Sequence, residues 1–145
     1  FAMRPFLGYN MADYFQHWLT FENKFKENKA PKIFHVNWFR KSENGKFLWP
    51  GFGENIRVMD WILKRCDTTD DSHSVNTPIG KVPAPGSIDT SGLDISSDTM
   101  QELLNIDSNE WKGEMDRTKM FFDTFAENKM PKQMYSILQQ LQDKL

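Results

Sequence analysis

The segment from Phe39 to Asn55 constrains the fold more than any other part of the chain. Its Asn44-Gly45 pair is typical of a two-residue β-hairpin turn, because both central positions of that turn need a positive φ. Pro50-Gly51-Phe52-Gly53 then ends the returning strand, since proline lacks the N–H that a strand ladder requires. The sequence therefore predicts strands over 33–40 and 46–49, followed by a helix that begins at Glu54 or Asn55.

The same segment carries a group of aromatic residues, Phe39, Phe47, Trp49 and Phe52. Aromatic faces held on tight backbone, beside the unpaired N–H groups of a helix N-terminus, suit a flat heterocycle with hydrogen-bonding edges. This pattern predicts a nucleobase pocket. Aromatic clusters also fill protein cores, and Asn55 also suits a plain helix cap, so the residues alone leave both alternatives open.

Helical periodicity covers much of the remaining chain. A first amphipathic helix is predicted over about 10–26, with Asn10 as its N-cap. The helix after the aromatic segment is predicted to end near Cys66 and to bury Val58, Met59, Ile62, Leu63 and Cys66, which makes Cys66 an inert buried thiol. Further helices are predicted from the capping-box spacings of Asp98 with Gln101 and Asp107 with Glu110, and after Pro131.

Residues 67–97 are polar and rich in Ser, Thr, Asp, Pro and Gly. They predict a long surface excursion with one short extended piece over 79–82, and residues 98–145 predict the C-terminal helices. The predicted fold class is therefore mixed α/β (α+β), with one β-hairpin and about five helices. At 145 residues the chain has the length of one ordinary domain.

Composition excludes several classes of function. A net charge of −2 offers no basic field for nucleic acid, and no run of 18 apolar residues predicts a membrane span. The single cysteine excludes an internal disulfide and fits a reducing compartment. The three histidines are scattered without metal-ligand spacing, and no catalytic triad or P-loop ending is recognisable, so no catalytic residue and no metal ligand is predicted in this segment.

Two long runs, Phe34–Lys41 and Gly45–Asn55, resemble the C-terminal region of GTP-dependent phosphoenolpyruvate carboxykinases. The likeness extends over essentially the whole chain, dense from Phe1 to Trp61 and sparse after Cys66. Other matching motifs are Phe1-Ala2-Met3-Arg4-Pro5-Phe6, Gly8-Tyr9-Asn10, His17-Trp18-Leu19, Thr77-Pro78-Ile79-Gly80, Glu102-Leu103 and Glu110-Trp111.

The resemblance implies that residues 1–145 are the C-terminal part of the GTP-binding, catalytic domain of a larger enzyme. That enzyme is a carboxy-lyase of gluconeogenesis, which decarboxylates oxaloacetate and phosphorylates the product from GTP to give phosphoenolpyruvate, CO₂ and GDP. The resemblance further implies that Phe39 and Phe52 sandwich the guanine, that Phe47 lines the pocket, and that Phe52, Gly53, Glu54 and Asn55 read the edge of the base.

Other parts of the reaction are expected upstream of this chain, including the phosphate-binding loop and the ligands of Mn²⁺ or Mg²⁺. The chain alone is therefore expected to be inactive. Its expected partners are the guanine nucleotide (GTP or GDP), oxaloacetate or phosphoenolpyruvate, and the remainder of a monomeric parent enzyme, without nucleic acid or membrane. The expected location is the cytoplasm, with the mitochondrial matrix as the alternative.

Two alternatives to the enzyme remain, a non-catalytic nucleotide-binding module and a helical interaction module. Arg40 and Lys41, beside Phe39, have two explanations as well. They either contact the phosphates or ribose of the nucleotide, or they are ordinary surface charges.

Overall fold

A computed structural model describes residues 3–26, 29–68, 70–125 and 129–145. Within these residues it contains five α-helices and one two-stranded antiparallel sheet. None of the helices in the described ranges is both long enough and apolar enough to cross a membrane. The elements in chain order are α1 (Met11–Thr20), α2 (Asn55–Asp67), β1 (Ser74–Thr77), β2 (Gly80–Pro83), α3 (Ser97–Leu104), α4 (Ser108–Asp123) and α5 (Lys132–Lys144).

The chain divides into two compact units, and the first consists of Phe1–Pro31 and Asp107–Leu145. It contains α1, α4 and α5. The two predicted caps of this unit are confirmed: Asn10 Oδ1 accepts from Ala12 N at 2.8 Å, and Asp107 Oδ1 accepts from Asn109 N at 2.8 Å. The buried residues of its core are Ala12, Met115, Phe122, Met130 and Leu138.

The second unit, Lys32–Ile106, carries the aromatic segment. Its core contains two buried tryptophans, Trp49 and Trp61, packed with Ile88. The Trp61 indole Nε1–H donates to the His73 carbonyl at 3.0 Å, so the polar edge of the ring is satisfied inside the core. Ile88 shows that the polar stretch over 67–97 contributes an apolar side chain to this core.

The mixed fold class is confirmed, but the hairpin lies elsewhere than predicted. The ladder joins β1 to β2, with Val75 opposite Val82, whereas 33–49 forms only an isolated bridge between Lys41 and Phe47. The Gly45 N–H donates to the Ser42 carbonyl at 2.8 Å and Gly45 has a φ of 75°, while Asn44 has no positive φ. The predicted two-residue turn is therefore not formed, and the pairing across this turn stops at the Lys41–Phe47 bridge and the hydrogen bonds beside it, from Ser42 N to the Lys46 carbonyl and from Leu48 N to the Arg40 carbonyl.

The predicted buried face of α2 is also wrong in part. Trp61 and Arg65 are its buried residues, while Met59, Leu63 and Cys66 are exposed. Residues 61 and 65 are one turn apart, so a helix that buries the large indole also carries Arg65 inward. The helix itself, Asn55–Asp67, matches the predicted bounds closely. The N-cap of α3 is Ser96, whose side chain accepts from Thr99 N, rather than Asp98.

Truncation of Trp61 tests this account of the core. We expect Trp61→Ala to lower the free energy of unfolding by about 3–5 kcal/mol, because it removes a buried aromatic ring and leaves a cavity. Leu63→Ala, on the same helix but 59% exposed, is the control and should change it by less than about 0.5 kcal/mol. Urea unfolding followed by tryptophan fluorescence measures both, and equal effects would contradict the assigned face.

Candidate functional site

Two of the predicted base-binding phenylalanines, Phe39 and Phe47, form an exposed pair. Their ring centroids are 6.2 Å apart with the planes inclined at 58°, and the residues are 71% and 53% exposed. The Phe39 N–H donates to Asn37 Oδ1 at 3.0 Å, which holds the backbone before the ring. Both rings are thus available at the surface, so the alternative that the aromatic group fills a core is wrong for Phe39 and Phe47 and holds for Trp49, which is buried.

Phe52 is held in an unusual backbone conformation. It has a φ of 50°, follows Gly51 with a φ of 74°, and is 99% exposed. A positive φ is costly for a bulky L-residue, and such residues cluster at functional sites. Phe52 also begins a short 3₁₀ turn, Phe52–Glu54, that leads directly into α2. The local backbone therefore presents an aromatic ring to solvent at the entrance to a helix.

Asn55 is the first residue of α2, but its side chain does not cap that helix. Its Oδ1 instead accepts a hydrogen bond of 3.0 Å from the Trp49 indole Nε1. The helix-cap alternative is therefore wrong for this residue. The two hydrogens of Asn55 Nδ2 have no acceptor among the described residues, and neither do the backbone N–H groups of Phe52 and Gly53.

Glu54 is held by an ionic contact that sequence reasoning missed. Arg57 Nε lies 2.6 Å from Glu54 Oε2, and Arg57 NH1 donates to the Asp89 carbonyl at 2.9 Å and lies 3.6 Å from Asp89 Oδ2. Hydrogen bonds from Ser91 to the Asp89 carboxylate, with a smaller contribution from the charge of Arg57, lower the pKa of Asp89. These residues border an open cavity of about 500 Å³, lined by Gly53, Glu54, Ile56, Arg57, Asp60 and Asp89.

The two basic residues beside Phe39 have different environments. Arg40 NH1 donates to the carbonyls of Leu103 and Asn105, both at 2.9 Å, so its guanidinium caps the C-terminal end of α3. Neither explanation given by the sequence describes that role. Lys41 Nζ lies 5.0 Å from the centre of the Phe47 ring, a cation–π contact at the edge of the aromatic pair.

The structure thus places the six sequence-predicted residues in two short segments of the second unit. Phe39 and Phe47 contact each other, and Phe52, Gly53, Glu54 and Asn55 are consecutive at the start of α2. Sequence reasoning included Trp49 in the aromatic group but gave it no contact with Asn55, and it did not assign Arg57 or Asp89 to the site. The three-residue spacing of Glu54 and Arg57 is a recognisable sequence signal for an ion pair. No comparable signal predicts the contact of Trp49 with Asn55 or that of Asp89 with Arg57.

Across the described ranges, no group of three or more His, Cys, Asp and Glu residues could hold a metal ion. The resemblance places the ligands of the divalent metal upstream of this chain, and no catalytic step through a metal is derived from the described residues.

Comparison with known proteins decides the family. The family described as phosphoenolpyruvate carboxykinase C-terminal P-loop domain matches residues 1–144. The chain belongs to this family. Over all 145 residues it is 46% identical to "Phosphoenolpyruvate carboxykinase [GTP]" of Chlamydia muridarum and 46% identical to the protein of that name in Neocallimastix frontalis. It is 44% identical to "Phosphoenolpyruvate carboxykinase [GTP], mitochondrial" of Mus musculus.

These alignments cover 100% of the chain but only 24%, 23% and 22% of the three relatives. The chain thus spans about a quarter of the length of the carboxykinases it matches. The family match also includes α3, α4 and α5, where the motifs quoted from the sequence are sparse. Membership in the carboxykinase family is confirmed for the whole chain rather than for the aromatic segment alone.

The lowered pKa of Asp89 predicts a pH dependence of stability. Because the pKa is lower in the folded chain than in the unfolded chain, the stabilisation is present above about pH 4 and is lost as the pH falls through the folded value. We expect Asp89→Asn to reduce the free energy of unfolding near about pH 6, and expect this difference from wild type to shrink as the pH falls below about 4 toward about 2. Urea unfolding over this range measures it.

Ser91→Ala is the matched variant, because it removes the side-chain donor that contributes most to the shift and leaves the backbone donor in place. It should reduce the pH dependence in part. An Asp89→Asn effect of the same size at both ends of the range would contradict the assignment.

The strained backbone at Phe52 gives a second prediction. Glycine adopts a positive φ without the Cβ clash, so Phe52→Gly should be more stable than Phe52→Ala by about 1 kcal/mol. Both variants lose the same exposed ring, so the comparison isolates the backbone term. Chemical unfolding of the pair measures it, and a less stable glycine variant would show that the positive φ is not a source of strain.

Proposed function

We propose that this chain is the guanine-nucleotide-binding portion of a GTP-dependent phosphoenolpyruvate carboxykinase. The parent enzyme would convert oxaloacetate and GTP to phosphoenolpyruvate, CO₂ and GDP. One observation carries the proposal: Phe39, Phe47 and Phe52 are exposed at the surface, and Asn55, three residues after Phe52, has amide hydrogens with no acceptor in the described part of the chain. The family match and the names of the relatives supply the reaction.

The aromatic rings provide affinity for a base of any identity. Stacking on an aromatic side chain contributes roughly 1–3 kcal/mol per base, and every base offers a π-face. Phe39 and Phe52 are proposed to stack on the two faces of the purine, with Phe47 beside Phe39 closing the pocket. Exposed aromatic rings grouped in one segment are typical of a binding surface, which supports a ligand as a group that covers them.

The polar groups provide selectivity. Guanine carries an oxygen acceptor at position 6, where adenine carries an amino donor. The Asn55 amide hydrogens and the backbone N–H groups of Phe52 and Gly53 are donors, so they match the guanine oxygen and oppose the adenine amino group. The proposed pocket therefore prefers guanine by the chemistry of its unpaired donors.

Base binding of this kind contributes to catalysis by position. Phosphoryl transfer depends mainly on holding the transferred group in line with its acceptor and on neutralising charge. Binding energy from the base, which does not react, is available to orient the phosphates. The oxaloacetate site and the ligands of Mn²⁺ or Mg²⁺ are proposed to lie in the remainder of the parent enzyme. A monomer in the cytoplasm is proposed, and the mitochondrial relative makes the matrix the alternative.

The test is a titration of the chain with GDP and, separately, ADP, followed by the indole ¹H–¹⁵N signals of Trp38 and Trp49. We expect GDP to shift these signals at lower concentration than ADP. Phe39→Ala and Phe52→Ala should each weaken GDP binding about 5- to 150-fold, the equivalent of one lost stacking contact of roughly 1–3 kcal/mol. Trp18→Ala, a half-exposed aromatic of the other unit, is the control and should leave GDP affinity unchanged.

The outcomes separate the alternatives. Equal shifts with GDP and ADP would indicate a base-stacking module without guanine recognition. A folded chain that responds to neither nucleotide would contradict the proposal for this chain and favour the helical interaction module. Turnover of oxaloacetate is expected only for the full-length parent protein, and Phe52→Ala in that protein should raise KM for GTP.

A further inference from the structure

We propose that Trp49 is a positioning residue that makes the guanine preference of the pocket possible. Its indole N–H fixes the orientation of the Asn55 carboxamide, so that Asn55 offers hydrogen donors and not an acceptor to the base. The inference rests on the proposed function, because it assumes that Asn55 faces the base. It adds a buried residue, outside the predicted base-binding set, that decides which purine is accepted.

The orientation of the Asn55 amide follows from the chemistry of its partner. An indole Nε1–H can only donate, and of the two terminal atoms of a carboxamide only the oxygen accepts. The 3.0 Å contact from Trp49 Nε1 therefore requires the oxygen of Asn55 to face the tryptophan. Rotating the amide by 180° would set an N–H donor against an N–H donor.

Both partners of this hydrogen bond are held in place by other contacts. Trp49 is 5% exposed and packs with Trp61 and Ile88, so its ring cannot turn without disrupting the core. Asn55 is the first residue of a 13-residue helix, which fixes its Cα. The amide is thus fixed at its backbone by α2 and at its oxygen by the core.

The consequence is a distinction between 6-oxo and 6-amino purines. An asparagine free to rotate could donate to the oxygen of guanine or accept from the amino group of adenine, and would accommodate both. With its oxygen turned toward Trp49, Asn55 presents its N–H donors to the base, so the guanine oxygen can pair with them whereas the adenine amino group would leave a donor unpaired. Inosine, which keeps the oxygen at position 6 and lacks the 2-amino group, should be accepted as guanine is.

The test compares Trp49→Phe with Trp61→Phe. Both substitutions remove an indole N–H from a tryptophan that is 5% exposed in the same core, but Trp61 donates to the His73 carbonyl and not to Asn55. The affinities of wild type and both variants for GDP, inosine diphosphate and ADP are measured by calorimetry or NMR titration. We expect Trp49→Phe to lower the GDP-to-ADP affinity ratio about tenfold, the equivalent of one hydrogen bond.

Inosine diphosphate should follow GDP in each variant, and Trp61→Phe should keep the wild-type ratio although it lowers stability. A selective wild type with an equally selective Trp49→Phe would overturn the role of Trp49 and leave the proposed function intact. A wild type without guanine preference would instead overturn the proposed function. The two failures are therefore distinguishable.

A second measurement does not depend on a folded Trp49 variant. In the wild-type chain, the Asn55 Nδ2 hydrogens and the Trp49 indole hydrogen are followed together by NMR during the GDP titration. We expect GDP to shift the Asn55 Nδ2 signals, while the indole hydrogen stays protected from exchange with water. Binding of GDP without a shift at Nδ2, or with rapid exchange of the Trp49 indole hydrogen, would overturn the proposal.

Discussion

The burial of Trp49 is the constraint on which the candidate site depends. Trp49 packs in the core of its unit with Trp61 and Ile88, and α2 begins only six residues later, at Asn55. The connecting backbone therefore has to turn sharply, which accounts for positive φ angles at both Gly51 and Phe52. Because Trp49 also donates to Asn55, one buried ring anchors the turn and orients the side chain at its end.

Stability alone does not explain the surface of this segment. Phe39, Phe47 and Phe52 leave most of their area in water, and Phe52 occupies a backbone region that glycine would occupy at lower cost. An arrangement selected only for folding would bury such rings or replace them. Natural proteins retain strained backbone and other locally destabilising features at sites that bind a ligand. Under the proposed function, the base covers the rings and offsets the cost of exposing them.

Local signals in the sequence were sufficient for some features and not for others. The caps at Asn10 and Asp107 and the bounds of α2 depend on neighbouring residues, so they could be predicted. The predicted strand over 33–40 is wrong because strand formation depends on a partner strand, which local signals do not reveal. In the structure, Phe34 and Trp38 of this segment pack on the core instead. The six proposed base-binding residues are predicted by family resemblance, because the residues alone leave core packing and helix capping open as alternatives.

The residues that support the site were the hardest to foresee. Trp49 lies six residues before Asn55, a spacing that no helix or strand repeat brings together, and Asp89 lies 32 residues after Arg57. These residues come into contact only in the folded chain. Under the proposed function, the position of Asn55 at the start of α2 suits a side chain that distinguishes bases. A side chain fixed at its Cα by α2 and at its oxygen by the core loses little freedom on binding, so most of its hydrogen-bond energy remains available for choosing between bases.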